Sequence, residues 1–363
     1  MKRLLLILVL LPIFSFPAHA EGLTDQTLGV FEAAQMENGL TGEEREIGGE
    51  IGMDGYDMRS ALSRLWRSFA AKLRTQVQKE LGFAAKLLAL VFMCAFSTSA
   101  CKDEKISGMI EICAVCMAAA VMTGGVNSLV TQTSDAVYRL SDYSKAVLPA
   151  VYTAAAASGG VSSAAVGYAQ AVLALDVMMS LSQKAVTPLI YATLSIALAD
   201  VVFPNPMLAA VGKFAKWTAK TLLTASTIAF TALLGVSSLI TTKADAAALK
   251  ATRTVISGTL PVVGGLLSDA SAAVLAAGSV VLSCMGAFGL VAVCAMCIGP
   301  LAVLTVKGML FKAVAAVAES MQNLRLQRLF AGIGGAIGLL MGLLGANAVM
   351  LFLSLAAALK VVA

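Results

Sequence analysis

Few residues in this 363-residue chain have a type and spacing that could do chemistry. Two Cys-x-x-Cys pairs, Cys113/Cys116 and Cys294/Cys297, have the arithmetic of a four-thiolate zinc site. Both pairs lie inside apolar runs, with no polar neighbours in sequence to orient a metal, and there cysteine serves as a small apolar residue. No metal site is expected, and Cys94, Cys101 and Cys284 indicate no disulfide framework. The single histidine, His19, falls in a stretch that reads as a removable leader. Without it the chain has no imidazole for acid–base work, a Ser-His triad or metal ligation. There is no GxxxxGK[ST] loop, no GxSxG and no HExxH. Carboxylates within or beside apolar runs are Glu111, Asp176, Asp200 and Asp269. Carboxylates are costly in lipid and often mark ion or proton paths. That makes Glu111 and Asp176 candidates for an ion path, whereas headgroups or helix capping account for Asp200 and Asp269. No catalytic residue and no cofactor are expected, and the chain is not read as an enzyme.

The element that organises the rest is Lys250 to Val281, KATRTVISGTLPVVGGLLSDASAAVLAAGSVV. A basic, helix-prone entry holding Arg253 breaks at Ser257-Gly258, Pro261 and Gly264-Gly265. It restarts at Ser268-Asp269 into a long uncharged run. Proline cannot donate its backbone hydrogen bond, and glycine adopts angles other residues avoid. Ser268 or Asp269 can cap the following helix. Lipid does not tolerate an exposed broken backbone, so a break at this depth sits against protein or lines a wet cavity. The same pattern also fits a plain loop between two spans. The named motif residues are Arg253, Gly258, Pro261, Gly264, Gly265 and Asp269.

The elements that must position these residues are membrane helices. The chain is 59% hydrophobic and 13% charged, with a mean hydropathy of +0.86. A soluble domain carries about 25% charged residues. The predicted fold is all-α, a polytopic membrane protein with a cleaved signal peptide, one amphipathic helix and about seven or eight transmembrane helices. Residues 1–20 read as the signal: Lys2 and Arg3, an apolar core, then Ala18-His19-Ala20 as a small-x-small cleavage site, with an uncleaved signal anchor as the alternative. Residues 21–55 form an acidic extracytoplasmic lead, whose first thirty residues hold eight acids against Arg45 alone. It reads as a solvated linker or as a docking segment for a partner. Residues 51–363 are net +10, and basic charge beside apolar spans points to anionic lipid headgroups rather than nucleic acid.

Residues 56–80 predict a basic amphipathic helix, with Leu62, Leu65, Trp66, Phe69, Leu73 and Val77 at helical spacing. It is read as lying in the membrane interface, or against a partner domain. Residues 81–363 form the multispan domain. A spanning helix needs about 20 apolar residues. Candidate runs are 81–100, 106–126, 146–167, 185–203, 221–242, 270–290, 291–306 and 330–352, and 307–328 reads as an amphipathic helix before the last span. The 37 uncharged residues of 270–306 exceed one span, with Gly286, Gly289 and Gly299-Pro300 as break points. In the last span Gly334, Gly338 and Gly342 recur at four-residue steps, a groove for close helix packing within the chain or with another copy.

The pattern K-A-x-R-T-V-x-S-G-x-L-P-V-V-G-G-L-L-S-D-A at 250–270 resembles the stage III sporulation protein AE family of endospore-forming Firmicutes. The order of parts is similar too, from a leader through an extracytoplasmic lead to many spans. The resemblance implies a multispan part of the channel- or secretion-like complex joining mother cell and forespore, in the mother-cell-derived outer forespore membrane. It implies the other stage III AA–AH proteins and the forespore protein Q as partners, and it carries over no catalytic residue. Two rival expectations stand beside it: an ion-coupled secondary transporter acting alone, and a pore-less membrane scaffold.

Overall fold

The computed structural model describes residues 40–48, 58–101, 103–259 and 264–359. The signal at 1–20, most of the acidic lead and Pro261 lie outside the described residues. Among those described there is no strand. In chain order the helices are α1 (Gly42–Gly48), α2 (Met58–Ala100), α3 (Glu104–Ala157), α4 (Val161–Leu181), a π-helical segment (Ser182–Val186), α5 (Thr187–Val202), α6 (Pro206–Thr259), α7 (Gly264–Ser320) and α8 (Leu324–Leu359). Among the described residues five helical stretches are long and apolar enough to cross a membrane: Met58–Ala100, Lys105–Ala157, Val161–Val202, Gly278–Ser320 and Leu324–Leu359.

Local chemistry sets where the helices stop. α3 ends in a Schellman motif at Ser158-Gly159-Gly160: Gly159 N–H donates to Ala156 O and Gly160 N–H to Ala155 O, with Gly159 at φ 102°. That left-handed angle suits glycine, which has no Cβ to clash. The turn falls inside 146–167, so the apolar run expected there as one span is divided between α3 and α4. α7 ends the same way: Gln322 N–H donates to Glu319 O and Asn323 N–H to Ala318 O, with Gln322 at φ 59°. By contrast α7 runs unbroken through Gly286, Gly289 and Gly299-Pro300, so the runs 270–290 and 291–306 share one helix. Pro300 removes one helical hydrogen bond, and packing on several sides keeps the chain helical there.

The π segment has an identifiable cause. Pro188 has no N–H to give the Lys184 carbonyl, and the ladder shifts so that Thr187 N–H reaches Ser182 O, five residues back.

α7 is the central mast, with 67% of its most apolar window buried against the rest of the chain. An all-round apolar helix belongs in such a place. α8 returns antiparallel along it: Phe311 stacks on Phe330, with ring centroids 6.4 Å apart, and Gly286 meets Leu359 at the far end. α2 runs parallel to α7. Leu65 packs with Ala295, Phe83 with Phe311, and Asn323 Nδ2 donates to Val91 O at 3.3 Å. The amphipathic stretch 58–80 is thus the first half of α2 and lies along α7 through Ala61 and Leu65, while Trp66 stays exposed. α1 docks on the same body. Glu44 accepts from Thr41 N–H at 2.8 Å, one half of a capping box, and from Arg139 of α3.

Candidate functional site

Two polar features stand out in this apolar assembly. The first is a cleft of about 790 Å³ where the C-terminal end of α5, the first turns of α6 and the start of α8 converge. The Phe203–Asn205 turn reverses the chain there, and Asn205 Oδ1 caps α6 by accepting from Met207 N–H at 2.9 Å. Glycines let the three helices close up behind the cleft. A Cβ on Gly332 would stand 2.8 Å from the Ala197 Cβ, one on Gly212 would stand 2.9 Å from Ile196, and one on Gly335 would collide with Lys216 Nζ. Lys213, Lys216 and Arg328 supply three cations to the lining and Asp200 one carboxylate. Among the described residues none of these four is in an ion pair. Burial holds the Lys216 ammonium below the ordinary lysine value. The arrangement can bind an anion, and no nucleophile–base pair lines it.

The second feature is a buried seam of hydrogen bonds. Asn347 of α8 is fully buried and donates from Nδ2 to Leu343 O at 2.7 Å and to Ser182 Oγ, in the π segment, at 3.1 Å. Gln183 donates from Nε2 to Ser134 O of α3 at 3.2 Å. The π segment therefore ties α8 and α3 together. Interhelical polar contacts of this kind contribute about 0.6 kcal/mol each on average.

The residues singled out from sequence are placed as follows. Glu111 on α3 pairs with Arg325 Nε of α8 at 3.1 Å, whereas Asp176 is exposed on α4. The two carboxylates are not brought together. Arg253 and Gly258 lie on α6, and Gly264, Gly265 and Asp269 on α7; the side chains of this stretch fall outside the described residues. Gly334 faces Phe311 and Lys312 of α7, Gly342 faces Leu223 of α6, and among the described residues no atom lies within 4 Å of a Cβ built on Gly338. Cys113 and Cys116 are exposed on α3, whereas Cys294 and Cys297 turn into the bundle from α7. No group of three metal-ligating side chains occurs among the described residues. Sequence reasoning set aside Asp200 as a headgroup-level or capping residue and gave Lys213 and Lys216 no role. The signal for the cleft was the Phe-Pro-Asn-Pro turn, which folds those lysines back onto Asp200.

A model of the family described as Stage III sporulation protein AE matches residues 53–361. No curated protein and no solved structure matches the chain.

Proposed function

The chain belongs to the stage III sporulation protein AE family, and from that premise we propose that it is a non-enzymatic, multispan membrane component of the channel- or secretion-like complex joining mother cell and forespore. The match carries this reading because it runs from residue 53 to 361 and takes in every helix from α2 to α8. Five helices apolar enough to cross a bilayer support the membrane placement.

In this reading the leader is removed after Ala20 and the chain crosses the outer forespore membrane several times, fewer than the seven or eight expected from the apolar runs because 270–290 and 291–306 share one helix. Its partners are the other stage III AA–AH proteins and, across the gap, the forespore protein Q. Pro261 and Gly264-Gly265 are where this reading puts a break in the helical backbone, since proline and two glycines fall together there. Neighbouring protein shelters that break. Gly334, Gly338 and Gly342 serve helix packing, with Gly338 left for a helix from another chain.

Replacing Pro261, Gly264 and Gly265 together with leucine tests the reading. The variant is expected to insert and accumulate normally while spore maturation stops after engulfment. Normal spores from that strain would overturn it. Ion-coupled uptake by the protein alone in liposomes, lost in Glu111→Gln or Asp176→Asn, would replace it with the transporter reading.

A further inference from the structure

The cleft between α5, α6 and α8 sits where three apolar runs end. Run 185–203 finishes at its wall, run 221–242 begins a few residues after Lys216, and run 330–352 begins just after Arg328. Its cations therefore stand at the edge of the apolar layer, at the level of lipid phosphates. The turn before α6 and the α6 surface beside them carry a second, independent signal. Phe203, Phe214 and Trp217 are 74%, 65% and 61% exposed, and the Phe214 and Trp217 rings lie 6.0 Å apart. On a helix, positions 213 and 216 form one stripe and 214 and 217 the next, so cations and aromatics run side by side. Such aromatics settle at the headgroup boundary, with their rings against acyl chains. A soluble anion would need the cations alone; the aromatic flank has use only for a ligand with a hydrocarbon tail.

We propose that this cleft is a binding site for the phosphate of an anionic lipid, held by Lys213, Lys216 and Arg328, with its acyl chains along Phe203, Phe214 and Trp217. Asp200 limits the positive field and fixes which part of the headgroup enters. Half-buried Lys216, its ammonium packed over Gly335, gains most from the ligand, because an anion there replaces the water that burial removed. The site does not depend on the sporulation reading, since any membrane role would use it.

The test uses the full-length protein in nanodiscs of phosphatidylcholine containing a minor fraction of phosphatidylglycerol or cardiolipin, with retained anionic lipid counted by native mass spectrometry. Lys213→Gln, Lys216→Gln and Arg328→Gln are each expected to lower retention about fivefold. The exposed-cation control R67Q/R74Q/K79Q, which removes three charges from α2 where each cleft variant removes one, should still leave retention unchanged. Asp200→Asn should raise it, which guards against loss through misfolding. Equal loss in the α2 control would overturn the site in favour of a diffuse charge effect. Displacement of the lipid by millimolar inorganic phosphate, or phosphate binding that persists without lipid, would assign the cleft to a soluble anion and overturn the lipid.

Discussion

Lys307 Nζ lies 3.2 Å from Glu80 Oε1, and the pair fixes how the apolar parts of α2 and α7 line up. Glu80 immediately precedes the apolar stretch 81–100, and Lys307 immediately follows the uncharged run 270–306. Because the two helices run parallel, these stretches lie end to end along the bundle rather than side by side. A bilayer core of about 30 Å matches about 20 helical residues, so it covers one level of this stagger and not both. The two levels differ in what surrounds them. The apolar window of α7 is 67% buried by its own chain, that of α2 only 17%. Phe92, Met93 and Phe96 on α2 and Met109 and Met117 on α3 face outward and form a lipid-ready tip. The most hydrophobic of the five candidate spans is thus chiefly a protein core.

The Glu80–Lys307 pair is expected to matter for stability. Its side chains are 12% and 16% exposed, and Lys307 also lies 5.5 Å from the centre of the Phe83 ring. Removing one partner leaves a poorly hydrated charge behind. Glu80→Gln or Lys307→Gln should each cost about 1–3 kcal/mol, and the double variant less than the sum. A thermal-unfolding double-mutant cycle in detergent checks this; additive single effects would show that the two side chains are not coupled.

Gln322 holds a left-handed backbone, φ 59°, at the turn between the two central helices. A side chain there is disfavoured relative to glycine by about 1 kcal/mol. Gln322→Gly should therefore raise the midpoint of unfolding, whereas Gln322→Val should lower it. Asn323, buried next door against α2, should tolerate neither change of turn geometry nor loss of its amide. A lower midpoint for the glycine variant would contradict the Schellman turn.

The docking of α1 should depend on pH in one direction. Burial pushes the Glu44 carboxyl up, but hydrogen bonds from Thr41 and the guanidinium of Arg139 outweigh it and hold the value below 4.5. A carboxylate lowered in the folded state contributes stability above its unfolded value, and that contribution is lost as pH falls through the folded value. Hydrogen-exchange protection of residues 42–48 should therefore be flat around neutral pH and fall only below the ordinary carboxylate range. In Glu44→Gln the protection should be weaker and the acid-side fall largely gone, while the Glu43–Lys72 ion pair is left in place.

How much of this was legible in the sequence depends on range. Apolar excess and helical periodicity are local properties, and they predict an all-helical membrane chain. Helix ends were harder to see. Gly159-Gly160 ends α3 through a two-glycine turn inside an uninterrupted apolar run, which hydropathy cannot see. Gln322 does the same with a residue that carries no turn signal. Pairings such as Glu80 with Lys307, or Asn347 with Ser182, join positions more than 160 residues apart and depend on register between helices. The cleft was illegible for the same reason: Asp200 and Lys213 are near in sequence, but Arg328 arrives only when α8 packs against both.

Glycines on α8 separate packing inside the chain from packing on another molecule. Gly332 has no room for a side chain, because a Cβ would stand 2.8 Å from the Ala197 Cβ, which cannot swing aside. Gly332→Leu should force α5 from α8, costing about 1–3 kcal/mol and disturbing the basic cleft beside it. Gly338, four residues beyond Gly334, meets nothing within 4 Å among the described residues. Alanine at an open helical position gains about 1 kcal/mol over glycine in helix propensity. Gly338→Ala should leave the isolated protein as stable or more so, and Gly338→Leu should leave it folded. If Gly338 seats a helix from a second chain, both substitutions will weaken co-purification with that partner while the monomer's melting curve is unchanged. A Gly338→Leu protein that unfolds as readily as Gly332→Leu would place the contact inside the chain and remove this surface from the assembly.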